Sequence, residues 1–282
     1  MTPADRQDVR RTFLVLVVAC AILLVVGGTI SCAGAHTRRH HRHHRAHRAV
    51  ATWTGATYGG RWAGWSKREV VAGDAQATTI QGVAGTAYTV HPGDVPGRNG
   101  ERAEMVASVA STGAIQGRAS TYDWSTWFPD GFVPVAGSSW NIFTQFHESA
   151  SDGCHPNVAL QVDTQHGDER LRLTVRGGQL DESTCTPAST RTWDFARLQR
   201  DRWYRFGLAV GWSASATDGY VQLTLDGRTV VPRTSLPTLY PGQSAYLKQG
   251  FYRQASPFVT TVVHSAVTRG AVVPLAASAR RP

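Results

Sequence analysis

The sequence predicts an all-β protein, a jelly-roll sandwich of short strands, preceded by one N-terminal hydrophobic helix. Three observations carry this. Apolar and polar residues alternate with a period of two in segment after segment; Gly, Pro, Asp and Ser punctuate the intervals; and long helical periodicity is absent from the body of the chain. Tyr204, Phe206, Leu208, Val210 and Trp212 alternate with Arg205, Gly207, Ala209 and Gly211. Leu171, Leu173 and Val175 alternate with Arg170, Arg172, Thr174 and Arg176. Between Tyr220 and Val231 two β-rich runs flank Asp226-Gly227, a dipeptide that supplies the positive φ angles of a tight hairpin. Phe195–Arg200 is read as a helical turn or two at most. The chain has 282 residues, and no repeat or linker interrupts residues 50–282, which are predicted to form a single domain.

The first 49 residues stand apart. Arg10 and Arg11 precede a stretch from Thr12 to Ala35 without a charged residue, and Ala33-Gly34-Ala35 offers a small-x-small cleavage site. Residues 1–35 are therefore expected to be a signal peptide or a membrane anchor. An uncut anchor would leave the arginine-rich segment outside, against the positive-inside bias, which favours cleavage. Arg10-Arg11-Thr12-Phe13-Leu14 also resembles a twin-arginine address. Residues 36–49, with the run HTRRHHRHHRAHR, read as a solvated spacer; interleaved His and Arg would repel a metal cation. The body is thus expected to be secreted or otherwise extracytoplasmic, with membrane anchorage through this segment as the alternative to release.

Charge argues against nucleic acid as a partner. Of 29 Lys and Arg and 20 Asp and Glu, eight and two fall in the first 49 residues, so the formal +9 shrinks to about +3 over the body. Cys154 and Cys185 are the only cysteines of the body. In an oxidising compartment two such residues are expected to pair as a disulfide. No metal site, cofactor fingerprint or oligomerisation signal is read, so a cofactor-free monomer is expected. His147-Glu148 begins like a zincin motif, but position 151 is Ser, and no GxSxG or P-loop is present.

Three strand-like segments carry polar residues on one face. In Trp140–His147, alternation puts Asn141, Phe143, Gln145 and His147 on one side and Trp140, Ile142, Thr144 and Phe146 on a core side. In Tyr246–Gln254, Tyr246, Lys248, Gly250 and Tyr252 share a face, with Gly250 leaving a gap in the polar row. In Gly100–Ser108, Arg102 and Glu104 oppose Ala103, Met105 and Ala107. Each segment alone reads equally well as an ordinary solvated strand.

Arg-x-Glu, Gln-x-His and Tyr-x-Lys-x-Gly-x-Tyr in this order resemble the concanavalin-like jelly-roll polysaccharide lyases, which include alginate, glucuronan and heparin lyases. Tyr246–Arg253, Trp124–Pro129 and Asn141–His147 look most like the heparin-lyase-I-like group. The resemblance covers about residues 50–270. It departs at His264-Ser265-Ala266, where a more acidic, glycine-containing strand at the groove edge is expected.

The resemblance implies β-elimination on an acidic, uronate-containing polysaccharide. Tyr252 and His147 would move protons, and Gln145 and Arg102 would bind the uronate carboxylate. Lys248 would bind substrate or lower the Tyr252 pKa, Asn141 and Tyr246 would add substrate contacts, and Glu104 would hold Arg102. The alternative reading is a non-catalytic glycan-binding module on the same fold.

Overall fold

A computed structural model of the protein describes residues 52–58, 61–97, 99–150 and 154–275. The expected signal peptide or membrane anchor, 1–35, and the expected spacer, 36–49, lie outside the described residues. Within them, the only helix is the four-residue Val109–Thr112, and no helix is long and apolar enough to cross a membrane.

Two sheets, antiparallel at every pairing, face one another. The front sheet runs in the order Thr186–Arg197, Arg170–Asp181, Val158–Asp163, Asn141–Glu148, Ala245–Arg253, Glu101–Val106, Lys67–Glu69. The spine of the back sheet is Arg228–Ser235, Tyr220–Leu225, Trp203–Trp212, Arg118–Trp127, Thr260–Ser265, Val83–Val90, Ala75–Ile80. Ala245–Arg253 is inserted between Asn141–Glu148 and Glu101–Val106, both much earlier in the chain. This non-sequential adjacency brings the three polar segments side by side.

The expected alternation builds the core. Leu171, Leu173 and Val175 from the front sheet and Tyr204, Phe206, Leu208, Val210 and Trp212 from the back sheet are all buried in one cluster. Phe143 meets Phe206 with ring centroids 5.6 Å apart, and Phe146 meets Tyr122 at 4.7 Å, joining the sheets. Burying each such side chain stabilises the fold by about 1.5–3 kcal/mol. Asp226 and Gly227 adopt φ of 51° and 80° and turn the chain from Leu225 to Arg228, as the dipeptide predicts. Phe195, expected in a short helical turn, belongs instead to the strand Thr186–Arg197, where pairing with Arg170–Asp181 supplies its backbone partners.

Cys154 and Cys185 are bonded, with Cα atoms 5.2 Å apart. The bond ties the chain entering Val158–Asp163 to the turn between Arg170–Asp181 and Thr186–Arg197.

Candidate active site

The motif strands align in register. Gln145 pairs with Lys248 and His147 with Tyr246, while Tyr252 pairs with Arg102 and Gly250 with Glu104. Over this face runs a groove of ≈ 800 Å³. Trp140, Ile142, Gln145, His147 and Tyr252 line one part, and His155, Arg172, Thr174 and Arg176 the other.

Tyr252 is the best-supported side chain of the set. Trp140 packs against it with centroids 5.7 Å apart, and the Arg102 guanidinium lies 4.0 Å from its ring centroid. Gly100, at φ 67°, leaves the space the ring needs; a Cβ there would lie 2.5 Å from Tyr252 Cε2. Burial raises the phenol pKa, and the neighbouring Arg102 charge opposes this without reversing it. Tyr252 is therefore a neutral phenol at neutral pH, able to donate a proton.

Arg102 is placed beneath that ring rather than in the groove. Its Nη1 donates to Glu69 Oε2 at 2.9 Å and lies 3.5 Å from Glu104 Oε2, and its Nη2 donates to the Asn99 carbonyl. Lys248 is likewise buried, donating from Nζ to Glu69 Oε2 at 2.7 Å. The cation beside Tyr252 is thus Arg102, and the expected depression of its pKa by Lys248 is not what the structure shows. Glu69, on a three-residue strand too short to read as one, joins both bases. Burial raises its pKa, but Lys248, Lys67 and Arg102 more than reverse this and bring it to about 2. Glu104 does more than hold Arg102: its Oε1 accepts from Gln145 Nε2 at 2.6 Å, fixing the amide in the groove floor.

His147 lies with Nδ1 2.7 Å from Glu148 Oε2, off the hydrogen-bond axis, and 3.3 Å from the Glu148 carbonyl. Glu148 is buried, and its carboxylate lies beside the Nδ1 edge of the imidazole. Tyr246 packs on the imidazole at 5.7 Å between centroids and does not line the groove.

Asn141 and Trp140 differ from the sequence expectation for one reason. Pairing with Ala245–Arg253 runs Gln249 to Thr144 and then Tyr252 to Ile142, three residues against two. Pairing on the other side also slips between Ile142 and Thr144. Simple alternation fails there. Ile142, Gln145 and His147 face the groove, whereas Phe143 and Phe146 enter the core. Asn141 is turned inward and fully buried, its Oδ1 accepting from Val135 N and its Nδ2 donating to Val135 O and Val162 O. It pins the preceding loop and does not reach the groove.

Gly250 is not a gap for a ligand. At φ 149° it sits where a Cβ would lie 2.0 Å from the Ala103 carbonyl oxygen. Behind it is His264, buried between the sheets and not at the groove edge. His264 Nε2 donates to Gly250 O at 3.0 Å, and Thr126 Oγ1 donates to Nδ1 at 3.0 Å. Burial lowers the His264 pKa to about 4, so the ring is neutral.

The jelly roll has solved counterparts. The structure is similar to the endo-β-1,4-glucuronan lyase from the fungus Trichoderma reesei, with a TM-score of 0.61 at 16% identity, over 78% of this chain and 95% of that one. The alginate lyase Aly36B gives 0.48 at 12% identity, over 72% and 88%. An alginate lyase from a Chlorella virus gives 0.41 at 13%, over 70% and 88%. No curated protein sequence matches. The family described as polysaccharide lyase matches residues 57–268. The chain belongs to that family and is an enzyme that cleaves a polysaccharide. The match does not single out the heparin-lyase-I-like group.

Proposed function

We propose that the protein is an exported lyase that cuts a uronate-containing polysaccharide by β-elimination, with Tyr252 and His147 as its proton-transfer groups. The observation that carries this reading is the sharing of one groove by a neutral phenol, an imidazole backed by Glu148 and an amide held by Glu104. A module that only binds glycan has no need of two proton-transfer groups beside an amide.

In the reaction a base removes the C5 proton, the C4–O bond breaks, a C4–C5 double bond forms, and the departing oxygen takes a proton. The second N–H of Gln145 Nε2 would bind the uronate carboxylate, drawing off charge as the C5 carbanion develops. Tyr252 would protonate the leaving oxygen. Where proton and leaving oxygen lie on the same side, Tyr252 would first lose its proton to solvent, and the phenolate, favoured by the Arg102 cation, would take the C5 proton and pass it to the leaving oxygen. Where they lie on opposite sides, His147 Nε2 would be the base. Arg102, Glu69, Lys248 and Glu104 act here as positioning residues. Export is supported by the N-terminal sequence and by the Cys154–Cys185 bond, which suits an oxidising compartment.

The test is a screen of the purified protein on polyglucuronate, alginate and heparin-like chains, followed by the ultraviolet absorbance of the unsaturated product. Absorbance with at least one polyuronate is expected. Cleavage of neutral polysaccharides alone would overturn the uronate assignment.

A further inference from the structure

The groove extends beyond the proton-transfer groups, and its far wall carries two arginines of different standing. Arg172 is held by two carboxylates: Nε and Nη2 donate to Asp194 at 2.6 and 2.9 Å, and Nη1 donates to Asp163 at 2.6 Å. Arg176 is not so held. Its Nη1 donates to the Pro156 carbonyl at 3.3 Å, and among the described residues no carboxylate lies within 4.0 Å of it. It is half-buried, and burial lowers its pKa from the ordinary arginine value. A guanidinium has five donors, so most of those on Arg176 remain available to a ligand.

Register places Arg176 relative to the chemistry. Phe146 pairs with Val158, and Val158 with Val175. One step further along, Arg176 N donates to Asn157 O at 2.7 Å, so Arg176 stands level with His147 across one intervening strand. Two strand spacings separate their backbones by about 10 Å, the scale of a neighbouring sugar ring and not of the one being cut.

The surroundings are built. Tyr240 Oη donates to His155 O at 3.1 Å, Asn157 Nδ2 donates to Arg176 O at 3.4 Å, and the disulfide anchors Cys154 beside them. His155, which also lines the groove, has its pKa lowered by burial and by the charges of Arg176 and His147, so it adds polarity without a second fixed charge.

We propose that Arg176 binds a second carboxylate of the substrate chain, one sugar or more from the cleavage position, and so selects polymers that carry charge beyond the uronate being cut. This rests on the reading of the groove as a uronan site. Arg–carboxylate pairing is charge-assisted and often bidentate, which gives orientation as well as affinity.

The experiment compares Arg176→Gln and Arg176→Lys in the full-length protein on polyglucuronate and alginate. Arg176→Gln is expected to raise KM at least tenfold, with kcat within about threefold of wild type, a loss of ~1.4 kcal/mol or more in binding. Arg176→Lys, which keeps the charge, should recover most of the KM. Methyl-esterified polyuronate should show no difference between wild type and Arg176→Gln. Melting temperatures separate binding from folding: equal losses of KM and stability in both variants would overturn the proposal. So would an unchanged KM in Arg176→Gln. If wild type cleaves no polyuronate, the uronan reading fails by itself. The Arg176 site is then judged by calorimetric titration with polyglucuronate oligosaccharides, where unaltered affinity in Arg176→Gln would overturn it.

Discussion

Arg102 stands face-on to Tyr252, its guanidinium carbon 4.0 Å from the ring centroid, and is itself held by Glu69 and Glu104. The cation therefore touches the groove only through the aromatic ring above it. This accounts for a residue that is arginine in character yet almost wholly buried. In the proposed reaction Tyr252 would exchange protons with substrate, and Arg102, Glu69 and Glu104 would fix where that happens.

Tyr252→Phe keeps the ring, the Trp140 contact and the Arg102 contact while deleting only the hydroxyl. We expect kcat to fall by roughly 10²–10⁴-fold, with melting temperature and substrate affinity nearly unchanged. Product absorbance, scanning calorimetry and binding by calorimetric titration check the three parts. A rate close to wild type would remove Tyr252 from the mechanism.

His147→Ala should depend on the stereochemistry of the substrate. Glucuronate and mannuronate present the C5 proton and the C4 oxygen on the same side, and Tyr252 alone can serve them. Guluronate and iduronate place them on opposite sides and need His147. Rates on guluronate-rich and mannuronate-rich alginate should therefore diverge by at least an order of magnitude in the variant. A uniform loss on both would show that the imidazole acts in each route.

Two acid transitions should be separable. His264 has its pKa lowered from the ordinary 6.5 to about 4 by burial, so its neutral form is the folded one. The unfolded chain binds the extra proton, and this stability is complete above pH 6.5 and lost as pH falls towards 4. Glu69, lowered from 4.5 to about 2, contributes fully above pH 4.5 and loses its contribution as pH falls towards 2. Thermal melts against pH should flatten between pH 6.5 and 4 in His264→Gln, and below 4.5 in Glu69→Gln.

Glu69→Gln should also destabilise at neutral pH. It leaves the buried charges of Lys248 and Arg102 without a shared carboxylate, a change that costs about 3–5 kcal/mol in comparable pairs. For a body of this size that is a fall of roughly 6–20 °C in Tm. A shift below about 2 °C would show that Glu104 alone suffices.

Reducing the bond between Cys154 and Cys185, a sequence separation of 31, reopens the loop between them. Chain entropy puts its contribution at about 3–4 kcal/mol. A lower Tm in reductant should be accompanied by weaker polymer binding, because the tethered segment carries His155 and Pro156 into the groove. Cys154→Ser with Cys185→Ser should reproduce both effects.

Much of the fold is legible in the sequence. Strands with undisturbed alternation, such as Tyr204–Trp212, bury the residues their period assigns to the core. Asp226-Gly227 encodes its own turn. The faces of Arg102–Met105 and of Lys248–Tyr252 were readable because their mutual pairing keeps step throughout. What was not legible has identifiable causes. The slip between Ile142 and Thr144 reverses the side on which Asn141 and Phe143 lie, and periodicity carries no sign of it. Glu69 sits on a strand of three residues, below the length at which a period can be seen. Arg176 alternates as an ordinary outward residue, and only the paired state of Arg172 beside it makes its solitude visible.

The insertion of Ala245–Arg253 between two much earlier strands also has a consequence in time. While the chain is being made, Asn141–Glu148 and Glu101–Val106 each present an open edge towards the place the late strand will fill. Tyr252 arrives with that strand, which follows both of its sheet neighbours in the chain. Contacts of such long sequence separation form slowly. Until that strand is made the two open edges face an unfilled slot, and Gln145, His147 and Tyr252 come to share one face only when it pairs with both neighbours.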